Sequence, residues 1–169
     1  ANTYSEAIDT FTTVENLNTA SESYRFKVDF FTSGNTSEAF GSSNEASSVF
    51  LSIQPNDESN LLNWDFDVPW DNIEFTVFKE NALGLFDSIA TTEVPSFLEE
   101  DLVNGRNYCY FIRATGDYGV ESIESLLINR SQIACASPID LIAPCPPMLE
   151  VTNICDEAIN CVEIDLFNQ

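Results

Sequence analysis

The 169-residue chain has no histidine and only six lysine and arginine residues against 28 aspartates and glutamates. Without histidine there is no Ser-His-Asp triad, no Cys-His pair and no His-ligated zinc. The Gly-rich fingerprints of dinucleotide and nucleoside triphosphate sites are missing, and so is a GxSxG nucleophile turn. A net charge of −22 repels nucleic-acid phosphates and anionic membrane surfaces alike. Expected partners are neutral, basic or cationic, with calcium the small candidate. No apolar run approaches the roughly 18 residues of a membrane span, which argues against membrane insertion. No signal peptide opens the sequence, and a fragment of a mature secreted chain is the expectation.

With 44% hydrophobic residues the chain can bury a core. Its apolar residues alternate in short runs. "YRFKVDFF" sets Tyr24, Phe26, Val28 and Phe30 on one face. "SSVFLSI" aligns Val49, Leu51 and Ile53, and "NLLNWDF" aligns Leu62, Trp64 and Phe66. "IEFTVFKE" aligns Ile73, Phe75 and Val77, and "RNYCYFIRA" aligns Tyr108, Tyr110, Ile112 and Ala114. Period two is the signature of half-buried strands, and the intervening stretches are rich in Gly, Asn, Asp and Ser. The expected class is all-β.

A repeat runs through these strands. Tyr24, Phe26 and Val28 recur 84 positions later as Tyr108, Tyr110 and Ile112, and Ser47, Val49 and Leu51 as Ser131, Ile133 and Cys135. Leu17 and Leu102 precede the two tyrosines. The organisation expected is the back part of one module in 1–50, a complete module in 51–138, and the first strands of a third in 139–169. Nine residues or so, within 46–56, join the first two, leaving hardly any room for a separate first strand. The run "SSVFLSI" is therefore expected to be shared, closing one module and opening the next.

Leu102, the turn "VNGR", Tyr108 and the apolar alternation to Ala114 resemble the E–F corner and strand F of fibronectin type III domains. Trp64 falls at the family's strand-B tryptophan, and "FTVFKE" is similar to its strand C. The resemblance implies tandem immunoglobulin-like (fibronectin type III-like) β-sandwiches, with Trp64, Leu102, Tyr108 and Tyr24 as structural core. It implies a tyrosine hydroxyl that bonds back to the corner backbone. More narrowly, "VPWDNIEFTVFKEN", "LVNGRNYCYFIRATGDYG" and "IAPCPPMLEVTNIC" resemble tandem modules of large surface proteins from gliding, type IX-secreting bacteria. In those proteins the modules precede a C-terminal sorting domain.

Five cysteines, none in a CxxC pair, favour disulfides in an oxidising compartment over zinc. With the family's strand order, Cys109 and Cys135 lie on neighbouring strands F and G. That placement makes Cys109–Cys135 one expected disulfide. Cys145 and Cys155, which bracket the start of the next module, are the second expected pair, and Cys161 is left over.

Other candidates are few. Asp65, Asp67 and Asp71, with Asp117, are calcium candidates, although a solvated acidic surface explains them as well. Glu99, Glu100 and Asp101 read as a solvated turn. Trp64 reads as core and Trp70 as packing at the module edge; together they would make a sugar-stacking platform. Two N-glycosylation sequons, at Asn35 and Asn129, and the sequence Asp87-Ser88-Ile89 are weak modification matches. The expected role is that of non-catalytic spacer or adhesion modules, extracellular or at the cell surface, without cofactor. Their partners would be other modules of the chain and surface or secretion-machinery proteins. The alternatives are a carbohydrate- or calcium-binding module, through "DFDVPWDN" and "TGDYGVES", or an accessory domain of a larger secreted hydrolase.

Overall fold

The computed structural model describes residues 12–31, 39–121 and 126–143, together with the strand backbones of 148–152 and 163–167. Every regular element among them is a strand. Four short strands form a first unit: β1 (Arg25–Phe26), β2 (Asp29–Phe30), β3 (Gly41–Ser42) and β4 (Ala46–Ser47). β1 pairs with β4 and β2 with β3, both antiparallel. A second unit holds β5 (Phe50–Asn56), β6 (Ser59–Asp65), β7 (Asp71–Glu80), β8 (Phe86–Thr92), β9 (Ser96–Glu99), β10 (Tyr108–Asp117), β11 (Leu127–Arg130) and β12 (Ala134–Ala136). Beyond it, β13 (Met148–Thr152) and β14 (Glu163–Phe167) pair as an antiparallel hairpin.

The second unit has two sheets. One runs β5-β6-β9, and the other runs β11-β10-β7-β8 with β12 extending the β11 side of β10. Their inward residues meet in one cluster: Leu51 from β5, Leu62 and Trp64 from β6, Phe75 and Val77 from β7, and Tyr110, Ile112 and Ala114 from β10. Period two places every second residue of a strand in this layer. Trp64 meets Phe75 edge to face, with ring centroids 5.4 Å apart, a geometry that aromatic quadrupoles favour. Tyr108, at the end of β10, is only half-buried and packs against the cluster, whereas Tyr110 is fully buried. Ile73, expected on the inner face, is exposed.

The outer face of β7 and β10 is not simply polar. Phe78 and Phe111 stack at 4.5 Å, Arg130 lies 3.7 Å over Phe111, and Arg113 lies 5.1 Å over Phe78. Guanidinium groups that cover aromatic rings let two phenylalanines occupy a solvent-facing layer.

The corner before β10 follows the expectation. The Tyr108 hydroxyl accepts the Val103 N–H at 3.1 Å, and the Arg106 N–H closes the turn on the Val103 carbonyl. Gly105 takes φ +77°, a left-handed conformation that costs glycine little. The first unit repeats the device: the Tyr24 hydroxyl accepts the Asn18 N–H at 2.8 Å, and Ser21 N–H returns to the Asn18 carbonyl. In both units the donor follows the corner leucine, Leu17 or Leu102.

Two expectations need correction. The apolar face of β1 and β2 is not buried: Phe26, Val28 and Phe30 are 46%, 59% and 55% exposed, against 0% for Tyr110 and Ile112. A sheet face is buried only by a second layer, and the described residues of this unit supply none. The repeat also carries an extra stretch. Phe26 pairs with Ala46, and Tyr110 pairs with Ala134, so the first members are 84 positions apart and the second members 88. Ser47, Val49 and Leu51 are therefore not equivalent to Ser131, Ile133 and Cys135. Val49 and Leu51 are buried in the second core, whereas Ile133 is half exposed.

Cys109 and Cys135 face each other directly in the β10–β12 register and are joined by a disulfide. Cys145, Cys155 and Cys161 lie outside the described residues. Two stability changes are expected. Trp64→Ala removes a ring that fills the centre of the sandwich, and urea unfolding should show a loss of about 3–5 kcal/mol. Replacing Cys109 and Cys135 together with alanine frees the 26-residue separation they close. That variant should lose about 3 kcal/mol by the chain-entropy argument, and wild type should lose as much under reductant.

Candidate functional site at the junction of the two units

The run "SSVFLSI" is divided rather than shared. Ser47 belongs to β4, opposite Arg25 of β1. Three residues later, Phe50 begins β5 and pairs with Asp65 of β6. A separate first strand does fit, because the crossing takes only Ser48 and Val49. Val49 makes a parallel bridge to Ser131 and is buried in the second unit.

Ser47 holds the junction with all its polar groups. Its N–H donates to the Asp67 carbonyl at 2.7 Å, and its hydroxyl oxygen accepts the Asp67 N–H at 2.7 Å. Its carbonyl accepts from the Asn129 side-chain amide at 2.8 Å. Arg25 forms an exposed ion pair with Asp67. Just beyond, the Gln132 amide clasps the Leu51 backbone: its oxygen accepts Leu51 N–H at 3.1 Å, and its nitrogen donates to Leu51 C=O at 2.7 Å. A side chain thus supplies two ladder bonds where no strand continues.

The loop 66–70 reaches the junction because β6 ends at Asp65 and β7 begins at Asp71. At the other edge of β7, β10 continues past Ala114 to Asp117 with a register shift at Thr115/Gly116. Gly116 is required there. A Cβ at this position would overlap the Asp71 backbone carbonyl. The close approach brings Trp70 and Tyr118 together at the sheet end, ring centroids 5.9 Å apart and planes 68° inclined. The Trp70 indole N–H donates to Asn72 Oδ1 at 3.1 Å. Asp117 accepts the Gly119 N–H at 2.7 Å and fixes the turn that follows.

Between this aromatic pair and the first unit lies an open cleft of about 260 Å³. Phe26, Lys27, Ser43 and Asn44 form its first-unit side, and Pro69, Trp70 and Tyr118 form the other. Lys27 Nζ lies 3.4 Å from Asp29. The Ser42 hydroxyl donates to Asp29 at 2.5 Å and, with a smaller contribution from Lys27, holds that carboxyl below its usual range.

The other sequence candidates are dispersed. Trp64 lies in the core, away from Trp70's loop, so the two do not form one platform; Tyr118 is the ring beside Trp70. Asp65, Asp67 and Asp71 do not converge: Asp67 pairs with Arg25, and among the described residues no three His, Cys, Asp or Glu side chains group to hold a metal. Glu99 is not a solvated turn residue. It is half-buried, 2.6 Å from Lys79 Nζ, and Lys79 also lies 4.4 Å over the Tyr108 ring. Beside them the buried Asn60 amide donates to the Tyr110 hydroxyl at 3.3 Å, and burial raises the pKa of that phenol. Asn129 spends its side chain on Ser47, Ser88 is exposed on β8, and Asn35 lies outside the described residues.

The alternation of "IRATGDYG" was readable, but it carried no sign that Gly116 faces a neighbouring backbone. Only a glycine inside a strand pattern hinted at it.

No protein-family model and no curated protein matches the chain. Among solved structures it is similar to the pectate lyase PelI from Erwinia chrysanthemi in complex with tetragalacturonic acid, at 16% identity and TM-score 0.39. That match covers 52% of this chain and 27% of the other. It is also similar to the pectate lyase Pel3 from Pectobacterium carotovorum, at 16% identity and TM-score 0.42, covering 59% of this chain and 30% of the other. The chain thus spans less than a third of either enzyme, and a likeness at this level carries no argument about activity.

Gly116→Ala should push the start of β7 away from β10. We expect a loss of about 1–3 kcal/mol, as for an overpacked core position, in chemical unfolding. The Trp70 fluorescence should shift towards that of a solvated indole.

Proposed function

We propose that the chain is a pair of non-catalytic spacer modules in an extracellular protein, joined so that their relative orientation is fixed. The observation that carries this reading is the junction: a two-residue crossing, with Ser47 bonded through its N–H, hydroxyl and carbonyl to Asp67 and Asn129. A flexible linker between free modules has no such partners. The far end of the second unit is anchored in the same manner. The Pro138 carbonyl accepts the Gly105 N–H, and the Ile139 N–H donates to Asn56 C=O. The direction in which the chain leaves is therefore set by the sandwich itself.

The finer family reading is fibronectin type III-like. The sheet orders β5-β6-β9 and β11-β10-β7-β8 support it, and so do the two tyrosine corners. The Cys109–Cys135 disulfide supports an oxidising, extracellular setting. Export by a type IX-like route and a role in gliding or surface attachment rest on the sequence resemblance alone.

Backbone nuclear relaxation and small-angle scattering test the reading. Residues of β1 and β4 should share one rotational correlation time with those of β6 and β10. In the double variant Ser47→Ala, Asn129→Ala the two units should begin to tumble separately. Separate tumbling in the wild-type chain would remove the spacer reading.

A further inference from the structure

We propose that the cleft between the units is a binding site for a neutral saccharide, one pyranose ring seated between Trp70–Tyr118 and Asn44. The volume, about 260 Å³, falls just below the range of drug-sized ligand sites and suits a single sugar ring, and ligand sites favour domain junctions. Aromatic rings supply the apolar faces on which the C–H side of a sugar packs. Asn44, on the facing wall, supplies a polar side chain for hydroxyls, while the Ser43 hydroxyl is occupied by the Val28 N–H and the Asn44 carbonyl.

Charge selects among the possible ligands. Phe26, Trp70 and Tyr118 resemble the walls of a cage for an organic cation, but Lys27 lines the same cleft and opposes one. An anion is disfavoured from the other side. Lys27 is already matched by Asp29, and the chain's net charge of −22 surrounds the site. A neutral polyhydroxylated ring is what remains. The loops that carry Trp70 and Tyr118 are far apart in sequence and meet here through the close approach at Gly116.

The site needs the junction closed but not the spacer role, and the two fail in different measurements. Loss of a fixed orientation shows in scattering, and loss of the site shows in titration. The probes are neutral gluco-, xylo- and manno-oligosaccharides, with tetragalacturonate as the anion and tetramethylammonium as the cation. Trp64 also emits but is buried away from the cleft, so a ligand-dependent change in emission reports on Trp70. At least one neutral oligosaccharide should bind at millimolar affinity or better and change the emission. Trp70→Ala should weaken binding at least tenfold, read by calorimetry at a temperature where circular dichroism shows the variant folded. Asn44→Ala, on an exposed residue that leaves the fold intact, should weaken it severalfold. The proposal is overturned by no binding of any neutral probe, by binding of only the anion or the cation, or by neutral binding that survives both substitutions.

Discussion

Six residues, 46–51, must close one sheet, cross to the next unit and open its first strand. Backbone donors and acceptors removed from water need partners, and a crossing this short cannot loop out to find solvent. Ser47 therefore bonds across to Asp67 and Asn129, Ser48 N–H returns to the Tyr24 carbonyl, and Leu51 is held by Gln132. The consequences spread from there. Asp67 is fixed, so the loop from Phe66 to Trp70 has a defined path, and the cleft has a wall. Val49 is carried into the second core, so the polar junction is continuous with apolar packing.

The class of the fold was legible because period two is a local signal. Leu62 and Trp64 occupy the inner layer as their alternation predicts, and so do Phe75, Val77, Tyr110, Ile112 and Ala114. Alternation does not say which sheet a strand joins. "SSVFLSI" keeps one phase from Ser47 to Ile53, yet its first residue pairs with β1 and its later ones with β6. Nor does alternation say whether a second layer exists, which is why Phe26, Val28 and Phe30 were expected to be buried. The tyrosine corner was legible in both units, since Leu, turn and Tyr lie within eight residues. The 88-residue spacing of Ala46 and Ala134 was not, because small residues carry no pattern.

The candidate site was half legible. Trp70 stood out as an aromatic in a polar loop, but its neighbour Tyr118 comes from a loop about fifty residues away. Only the β7–β10 register joins them. Charge runs misled for a related reason. Glu99 sits beside Glu100 and Asp101 in sequence, yet its partner is Lys79 on another strand. A local excess of one sign cannot reveal a single long-range pair.

The division of forces gives the two units different strengths. The second unit has an apolar core and a disulfide, whereas the junction rests mainly on three neutral hydrogen bonds at Ser47. At roughly 0.5–1.5 kcal/mol net each, these contribute about 2–4 kcal/mol. The exposed Arg25–Asp67 pair adds little, and salt screens it. Hydrogen bonds are directional, so this is enough to fix an orientation. It is less than the cost of opening a packed core such as the one around Trp64. Under load the junction should therefore yield before the sandwich does, and largely independently of ionic strength. Opening it would also pull Asn44 away from Trp70 and Tyr118, so a ligand bound in the cleft would oppose the opening by its differential affinity for the closed state.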